Sequence, residues 1–519
     1  MNKKNVKRLE DLFLCGLRKS SNDVAVIDST GDYTYTDLCN RAVVIKETLN
    51  ECLGNARNNV GVILEKGLSA YCALIGILMS KNVYVPLNPR SPCSRISEII
   101  SDACITTLIV GADMEGVINY IENVVVGVRI IRVETSSSEF SVYLSTSEVQ
   151  STMPDTDFTS SDLAYIIYTS GSTGKSKGVA ISHASAIQCI YESSKLFDLS
   201  AEDRFAQFSE LFFDVSIFEI FLCFCSGAKL VVPSRVDHVY PISFVKKHQI
   251  SVWSSVPTMA NNMKALNLLK DDALPSIRIS IFCGEPLSCS LAQAWAKATP
   301  NGLTVNAYGP TEATIITSFH IFDPTFPYSS KTVPIGFPMN GFQYELLSEA
   351  EEPERQESGV LYLSGPQLFE GYWKNQSATQ EVVEYRSGYA RSKRKWYNTG
   401  DLVTYLPQSG LVFIERNDFQ VKVRGHRVEC AAVEGVIEGM PWCANVSVVP
   451  MQNEQALCIG LAAFVVCTEA IDIGRVKNNL EKYMPKYMVP ENIIVVDSIP
   501  TTANGKTDRK SMIEMACKL

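Results

Sequence analysis

Short apolar runs alternate with stretches of helical period along the first part of the chain. The β-branched run Val60–Leu64 is followed by an apolar stretch from Gly67 to Ser80, and further apolar runs lie at residues 107–110 and 128–133. Strands that alternate with helices are typical of layered α/β folds, in which helices cover parallel sheets. We therefore predict an α/β fold, with some all-β part, for most of the chain.

A second pattern, of strands and then helices, begins with the apolar runs Leu411–Ile414 and Phe419–Val423. The polar residues Asn417 and Asp418 lie between those runs, as expected of a junction between two folded units. We predict a large N-terminal domain of layered α/β subdomains, followed by a small α+β domain. The predicted domains are residues 1–415 and 416–519.

The composition is that of a soluble globular protein with a sizeable core. Of the 519 residues, 46% are hydrophobic and 20% are charged, which argues against a disordered or fibrous chain. The formal net charge is -9, and no long run of Lys or Arg occurs. A nucleic-acid-binding protein needs a basic face to neutralise phosphates, so the charge argues against that class of partner.

The 16 cysteines are scattered singly, and only Cys223 and Cys225 lie close together. That spacing suits neither a zinc site nor a disulfide framework, so we expect reduced thiols in a cytoplasmic protein. The longest apolar run, Ala70–Met79, is too short to cross a bilayer, and the N-terminal residues lack the unbroken apolar segment of a signal peptide. We expect no membrane association.

A loop rich in glycine, hydroxyl and lysine residues, Thr169–Gly178, follows directly on the apolar run Ala164–Tyr168. Glycines allow close approach of the backbone, while hydroxyls and lysines supply donors and positive charge, so the loop suits a polyphosphate. A Walker A loop needs four residues between its first glycine and Gly-Lys-Ser/Thr, but only two separate Gly171 from Gly174. The other alternative is a flexible Gly/Ser linker, which is unusual directly after a buried strand.

Nine short motifs resemble, in the same order, those of the adenylate-forming enzymes. The resemblance extends over nearly the whole chain and is specifically to the amino-acid adenylation domains of nonribosomal peptide synthetases and to D-alanine–carrier protein ligases. The same superfamily includes acyl- and aryl-CoA synthetases and luciferases. The motifs lie at residues 33–38, 84–89, 169–178, 213–216, 306–312, 371–372, 397–401, 416–425 and 500–506.

The resemblance implies that ATP and Mg²⁺ bind to this chain. It implies that Tyr308 contacts the adenine, that Thr311 contacts a phosphate oxygen and that Glu312 is the ligand of Mg²⁺, a metal that prefers oxygen. Asp401 and Arg416 are implied at the ribose, although an isolated Asp after Thr-Gly is more often a turn residue. The implied nucleotide-binding residues are Thr169, Ser170, Gly171, Ser172, Thr173, Gly174, Lys175, Asn306, Ala307, Tyr308, Gly309, Asp401 and Arg416.

Lys506, on a turn near the end of the chain, would by itself be interpreted as a solvated surface lysine. The resemblance implies instead that it is catalytic together with Thr311 and Glu312, because its ammonium bridges the substrate carboxylate and the nucleotide. The resemblance also implies a mobile C-terminal domain with its hinge at Asp418, which brings the Arg424–Gly425 segment toward a thiol acceptor.

Asp214, in the segment Phe213–Ser216, determines the predicted substrate class. A carboxylate among apolar neighbours needs a cationic partner, which is either a nearby lysine or the α-ammonium of an amino acid. The resemblance implies the ammonium, because this Asp is typical of the amino-acid-activating branch. The implied amino-acid pocket comprises Asp214, Val215, Phe218, Ser254, Ile281, Cys283, Gly284, Ala307, Ile315, Ile316 and Lys506.

The implied side-chain pocket contains no second charge, so we expect a small to medium, mainly apolar amino acid. Phe282–Glu285 is similar to the D-alanine ligases, in which a Cys matching Cys283 contacts the substrate side chain. Cys283 is equally compatible with a role as a small buried hydrophobic residue. Because one methylene changes discrimination by only about 1–3 kcal/mol, the pocket does not identify the amino acid.

The predicted reaction is formation of an aminoacyl-AMP, followed by thioester transfer to the phosphopantetheine thiol of a separate carrier protein. The chain ends favour a free-standing enzyme, with an excised domain as the alternative, and we expect a monomer. A coenzyme A ligase of the same superfamily is the main rival, but it would not need Asp214. A pseudoenzyme without activity is disfavoured because Glu312, Asp401 and Lys506 occur together.

Overall fold

The structure, a computed structural model, describes most of the chain. The described residues are 6–54, 57–135, 140–144, 163–170, 176–347, 357–387, 393–416, 420–453, 458–501 and 507–517. Among the helices in these ranges, none is long and apolar enough to cross a membrane. All 16 cysteines fall within them, and each is a free thiol.

Helices and strands alternate through the first half of the chain. They are α1 (Glu10–Ser20), β1 (Val24–Asp28), β2 (Gly31–Thr34), α2 (Tyr35–Leu53), β3 (Asn59–Ile63), α3 (Leu68–Met79), β4 (Val83–Pro86), α4 (Cys93–Asp102), β5 (Thr107–Gly111), α5 (Glu115–Val124), β6 (Arg129–Thr135), β7 (Phe140–Leu144), β8 (Leu163–Thr169), β9 (Lys177–Ser182), α6 (His183–Leu196), β10 (Arg204–Ala206), α7 (Asp214–Ser226), β11 (Lys229–Val231), α8 (Arg235–Val239), α9 (Pro241–His248), β12 (Val252–Ser255) and α10 (Pro257–Ala265).

Strands predominate in the second half. The elements are β13 (Ile279–Cys283), α11 (Cys289–Ala298), β14 (Leu303–Tyr308), β15 (Ser318–Ile321), β16 (Phe337–Pro338), β17 (Gln343–Leu347), β18 (Ser358–Ser364), β19 (Gly371–Tyr372), α12 (Gln376–Val382), β20 (Val383–Ser387), β21 (Lys393–Leu406), β22 (Gly410–Arg416), β23 (Gln420–Val423), β24 (His426–Glu429), α13 (Cys430–Glu438), β25 (Cys443–Gln452), β26 (Cys458–Cys467), α14 (Ile473–Leu480), β27 (Asn492–Val495) and α15 (Arg509–Ala516).

Two large sheets are formed by strands of the first 372 residues. Of the strands described, nine form one sheet in the order β16-β15-β14-β13-β12-β10-β11-β1-β2, and eight form another in the order β19-β9-β8-β4-β3-β5-β6-β7. The central pairs β3–β4, β3–β5 and β5–β6 are parallel, as are β12–β13 and β13–β14. The predicted α/β fold with parallel sheets is confirmed.

Helix α7 illustrates how apolar sequence becomes the interior. Its residues are nearly all apolar, its side chains are buried almost throughout, and it packs against α1 and α6. It ends at Gly227, whose φ of 83° lies in the left-handed region that glycine adopts without steric cost. Two carboxylates break the apolar pattern: Glu219 in the middle of the helix, which accepts hydrogen bonds from Ser209 and Gln207, and Asp214 at its first residue.

Smaller sheets form the rest of the described chain. A five-stranded sheet contains β17, β18, β20, β21 and β22, so the predicted strand at 411–414 pairs with β21. After it come the hairpin β23–β24 and the three-stranded sheet β25-β26-β27, whose helices α13 and α14 enclose a core of their own that includes Val433, Val448 and Leu480. The small α+β part is confirmed, while the exact boundary at 415/416 stays a prediction.

Candidate active site

A carboxylate, a phenol and a guanidinium meet where β14, β21 and β22 converge. Tyr308 is the last residue of β14, and its hydroxyl donates a hydrogen bond to Asp401 Oδ2. Antiparallel pairing sets Asp401 opposite Arg416, whose Nη1 donates to Asp401 Oδ1 at 2.7 Å. Asp401 is buried, so the paired guanidinium offsets the cost of burying its charge. Burial and the adjacent carboxylate raise the pKa of Tyr308, which remains a neutral donor.

A second cluster surrounds Glu312, in the short 3₁₀ turn Thr311–Ala313. Its side chain is fully buried, and both oxygens accept hydrogen bonds from Arg427 Nη1 at 2.8 Å. The Tyr372 hydroxyl donates to Oε1 at 2.7 Å. Burial alone would raise the pKa of Glu312, but the charge of Arg427 and the donated hydrogen bonds outweigh it, so that pKa is lowered.

Asp214 begins helix α7, where the helix dipole favours a negative charge, and it is buried. Burial raises the pKa of its carboxyl, and a hydrogen bond from Thr311 and the charge of Lys422 lower that pKa only in part. The neighbouring charge of Glu312 raises it further. Asp214 therefore lies beside the Thr311–Glu312 turn, as an incompletely compensated carboxylate.

The predicted side-chain pocket is assembled mainly by β12, β13 and β14. Their parallel register pairs Ser254 with Ile281 and Cys283 with Ala307. Burial raises the pKa of the Cys283 thiol to about 11, so it remains protonated and behaves as a small apolar group. Phe218, Ile315 and Ile316 are buried as well, whereas Val215 and Gly284 are half-buried.

The pocket also contains strained backbone. Thr314 and the β-branched Ile315 have φ values of 59° and 71°, a region such residues rarely adopt. Gln367 stabilises this turn through two hydrogen bonds. Its side-chain Nε2 donates to the Ile316 carbonyl at 2.9 Å, and its main-chain carbonyl accepts from Thr314 Oγ1. Gly309 is required on steric grounds, because a Cβ there would lie 2.4 Å from the Ile315 carbonyl oxygen.

The hairpin β23–β24 of the small α+β part packs onto this site. The Ser170 hydroxyl donates to the Arg427 carbonyl at 2.8 Å, and the rings of Phe213 and His426 are 4.9 Å apart. Gly425 approaches Val256 so closely that an added Cβ would lie 2.6 Å from Val256 Cγ1. Burial lowers the pKa of His426 to about 4, so its ring is neutral at physiological pH.

Several predicted residues have other local roles or lie outside the described residues. The Asn306 side-chain amide donates to the carbonyls of Val333 and Pro334 at 3.0 and 2.9 Å, which anchors β14. Thr169 Oγ1 donates to the Lys177 carbonyl at 3.4 Å across the β8–β9 hairpin. The remaining predicted residues lie outside the described ranges: Gly171, Ser172, Thr173, Gly174, Lys175, Asp418 and Lys506.

Sequence reasoning assigned no role to Arg427, Tyr372 or Gln367. Tyr372 lies within the motif at 371–372 and Arg427 lies two residues after the motif at 416–425, so proximity to those motifs was the available signal. Gln367 carries no such signal, because its function as a clamp on the Thr314–Ile316 turn depends on contacts 51 and 53 residues away in sequence.

The oxygen donors near Glu312 are chemically suited to Mg²⁺. Within the described part of the chain, however, no group of three or more His, Cys, Asp or Glu side chains converges to hold a metal. A single carboxylate is nevertheless typical of Mg²⁺ sites in which substrate phosphates and water supply the other ligands. Glu312, with the Thr311 hydroxyl nearby, would hold the ion in that manner.

Comparison with known families gives extended matches over both parts of the chain. The family model described as "AMP-binding enzyme" matches residues 16–373, and the model described as "AMP-binding enzyme C-terminal domain" matches residues 432–506.

Curated relatives are longer than this chain. The anguibactin system regulator of Vibrio anguillarum is 28% identical over 525 residues, which cover 98% of this chain and 47% of that protein. Gramicidin S synthase 1 of Brevibacillus brevis is 28% identical over 514 residues, with 98% of this chain and 44% of that protein covered. The chain thus spans less than half the length of either relative.

Among solved structures, the adenylation domain AlmE of Vibrio cholerae, in complex with glycyl-adenosine-5'-phosphate, superimposes with a TM-score of 0.86. It is 27% identical to this chain, and the match covers 98% of each. IdnL7 is 26% identical with a TM-score of 0.70, and 99% of each chain is covered.

Proposed function

The chain belongs to the family of AMP-binding enzymes, and from that premise we propose that it is an amino acid–carrier protein ligase that works through an aminoacyl-AMP. The observation that carries the proposal is the position of Asp214, whose buried carboxylate lies beside Thr311 and Glu312. A buried, incompletely compensated carboxylate at that point suits the ammonium of an amino acid whose own carboxylate faces the nucleotide.

In the first half-reaction, the substrate carboxylate attacks the α-phosphorus of ATP. An acyl–phosphate bond forms, the bond from the α-phosphorus to the bridging oxygen breaks, and pyrophosphate leaves. Asp214 holds the ammonium, while Tyr308, Asp401 and Arg416 bind the adenosine. Positioning of the two reactants accounts for much of the acceleration, since no protein nucleophile is required.

Charge on the reacting phosphates is offset by cations. Mg²⁺ at Glu312 would supply electrostatic stabilisation of the phosphate oxygens when bound. We assign to Lys506 the bridge between the substrate carboxylate and the nucleotide, and to Thr311 a contact with a phosphate oxygen. In the second half-reaction, a thiol attacks the acyl carbonyl, a thioester forms, and AMP departs.

We propose a small, mainly apolar amino acid as the substrate. The lining formed by Phe218, Ile281 and Ile315 is buried and apolar, and the neutral Cys283 thiol adds no charge. AlmE, similar over 98% of both chains, was crystallised with a glycyl adenylate, which makes glycine and the two alanine enantiomers the first candidates.

The acceptor that we propose is the phosphopantetheine thiol of a separate carrier protein. The docked hairpin β23–β24 supports this step, because it brings Gly425 and His426 against Val256 and Phe213 beside the amino-acid pocket. Rotation of the 416–519 domain about Asp418 would exchange this arrangement for one with Lys506 at the nucleotide.

The experiment that tests the proposal is amino-acid-dependent exchange of pyrophosphate into ATP, over a panel that includes glycine and both alanine enantiomers. We expect exchange with at least one small amino acid and none after Lys506→Ala. An enzyme that supports no exchange with any amino acid would refute the proposal. Parallel transfer assays with coenzyme A and with holo carrier protein identify the thiol acceptor.

A further inference from the structure

The carboxylate suited to Mg²⁺ is engaged by an arginine from the other predicted domain. Arg427 lies on β24, and its Nη1 is 2.8 Å from both oxygens of Glu312. The side chains of Glu312 and Arg427 are 0% and 18% exposed, so the ion pair is largely shielded from solvent. Tyr372 adds a further hydrogen bond at 2.7 Å to the same carboxylate.

A fully buried carboxylate is costly unless a cation accompanies it. Arg427 can supply that cation only while the hairpin β23–β24 is docked, and a divalent ion can supply it only when Arg427 is elsewhere. Both oxygens accept from the guanidinium and Oε1 also accepts from Tyr372, so a divalent ion at Glu312 would compete with Arg427 for the carboxylate and be repelled by its charge. Docking of the hairpin and metal binding at this carboxylate therefore compete.

We propose that Arg427 is a positioning residue that replaces Mg²⁺ on Glu312 after pyrophosphate has left, and thereby couples loss of the metal to docking of the hairpin for the thiol step. The inference rests on the proposed function and adds to it what sets the order of the half-reactions. While the metal is bound, the charge of Glu312 is already compensated, so Arg427 gains no ion pair and the hairpin remains undocked. Once the metal has left, the uncompensated charge of Glu312 attracts Arg427 and favours docking of the hairpin.

The other contacts of the hairpin do not provide such a switch. Ser170 donates to a main-chain carbonyl, the Phe213–His426 contact joins an uncharged ring to a neutral imidazole, and Gly425 meets the aliphatic Val256. These neutral contacts suit either metal state equally. The hairpin also carries Lys422, but its charge acts on Asp214 and Glu285, and Arg427 is the cation that contacts Glu312. The Glu312 ion pair, in contrast, depends directly on whether the metal is present.

The test is calorimetric titration of Mg²⁺ into enzyme saturated with α,β-methylene-ATP, which binds without turnover. Arg427→Gln removes the competing cation and should lower the Kd for Mg²⁺ by about fivefold or more. In the wild type, the apparent affinity for Mg²⁺ is reduced because enzyme with a docked hairpin is not competent to bind the ion. Arg427→Lys keeps the charge and should remain near the wild-type value. Arg475→Gln, at a side chain 89% exposed on α14, is the charge-matched control and should leave Mg²⁺ affinity unchanged.

Unchanged or weaker Mg²⁺ binding in folded Arg427→Gln would overturn the inference. If the analogue binds to none of these proteins, the proposed function itself fails, which distinguishes the two outcomes. Wild-type enzyme gives a second test, independent of how the variants fold. Transfer from enzyme-bound aminoacyl-AMP to free pantetheine should slow severalfold as Mg²⁺ is raised at constant ionic strength, and a rate insensitive to Mg²⁺ would contradict the exchange of cations.

Discussion

Asp214 is a buried carboxylate at the first residue of the mainly apolar helix α7. The helix dipole, the Thr311 hydroxyl and the charge of Lys422 all favour its ionised form, yet burial outweighs them and the pKa of the carboxyl is raised. A protein gains no stability from such a group. Its presence is best explained by a ligand that supplies the missing positive charge.

Asp214→Asn should stabilise the fold and at the same time reduce activity. A carboxyl whose pKa is raised on folding contributes stability that is lost as pH rises through that pKa, so ionised Asp214 destabilises the fold at neutral pH. The amide should therefore raise the unfolding temperature at pH 7, while amino-acid-dependent exchange falls about a hundredfold or more. Differential scanning calorimetry and the exchange assay measure both quantities.

The control for that variant is Asp472→Asn. Asp472 is the exposed N-cap of α14, where Asn caps a helix as well as Asp does. It should change neither the unfolding temperature nor the exchange rate. A lower unfolding temperature in folded Asp214→Asn would contradict the assignment of Asp214 as an uncompensated charge.

The ionisation of Asp214 should make kcat/KM for the amino acid depend on pH. Only ionised Asp214 attracts an ammonium, so kcat/KM for the amino acid should fall as pH decreases through the pKa of this carboxyl. Because burial raises that pKa, the acid limb should lie above the ordinary aspartate value of about 3.9. Exchange rates at subsaturating amino acid between pH 4 and 8 measure it. A limb that lies at or below the ordinary value would contradict the prediction.

At the scale of elements, the hairpin β23–β24 connects the small α+β part to the site. Its turn contains Gly425, which has a φ of 84° and lies in contact with Val256. Both features exclude a side chain: L residues are strained at that φ, and a Cβ would overlap Val256. The hairpin can therefore dock in this manner only with glycine at its tip.

Gly425→Ala should impair the thiol step and spare adenylation. We expect transfer to pantetheine or carrier protein to fall by about tenfold or more, since small displacements of a docked segment have large kinetic effects. Pyrophosphate exchange should stay within about twofold of wild type, because the proposed adenylation arrangement does not use this contact. Single-turnover measurements of the two half-reactions give the comparison.

The matched control is Gly435→Ala in helix α13 of the same domain. A Cβ at Gly435 meets no heavy atom within 4 Å, and alanine favours a helix more than glycine does. That variant should carry out both half-reactions normally. Equal loss of both half-reactions in Gly425→Ala would show that the glycine serves the fold and not hairpin docking.

The pattern of hydrophobic residues along the sequence predicted the strands and helices better than it predicted the contacts between them. The expected strands at 60–64 and 107–110 and the helix at 67–80 correspond to β3, β5 and α3, since periodicity and β-branched content act over a few residues. The Arg427–Glu312 ion pair joins residues 115 apart, and it depends on how two predicted domains are oriented. No local pattern encodes that orientation.

At the scale of the whole molecule, sheet topology accounts for how distant residues share one site. Strands β12, β13 and β14 run parallel, so their carboxyl ends, near Ser255, Cys283 and Tyr308, lie along one edge of the sheet. Ligands in open α/β sheets bind at this edge. The pocket residues that the resemblance implied on these strands lie toward the edge that the fold class indicates, whereas no sequence pattern indicated the strained Thr314–Ile315 turn or its Gln367 clamp.

Stability of the whole molecule should not depend on the redox state of the solvent. All 16 cysteines are free, and the cores of the large sheets and of the small α+β part are closed by apolar packing. The unfolding temperature should be the same with and without dithiothreitol in samples kept free of oxidation. A decrease caused by reductant would reveal a disulfide that contradicts this description.

We propose that this enzyme activates amino acids because Asp214 receives their ammonium group. Pyrophosphate exchange with the best amino acid and with the matching acid that lacks the amino group, such as alanine against propionate, tests it most directly. We expect exchange to be at least about a hundredfold faster with the amino acid at equal concentration, because only the amino acid neutralises the buried carboxylate. Equal rates with the two acids would contradict it.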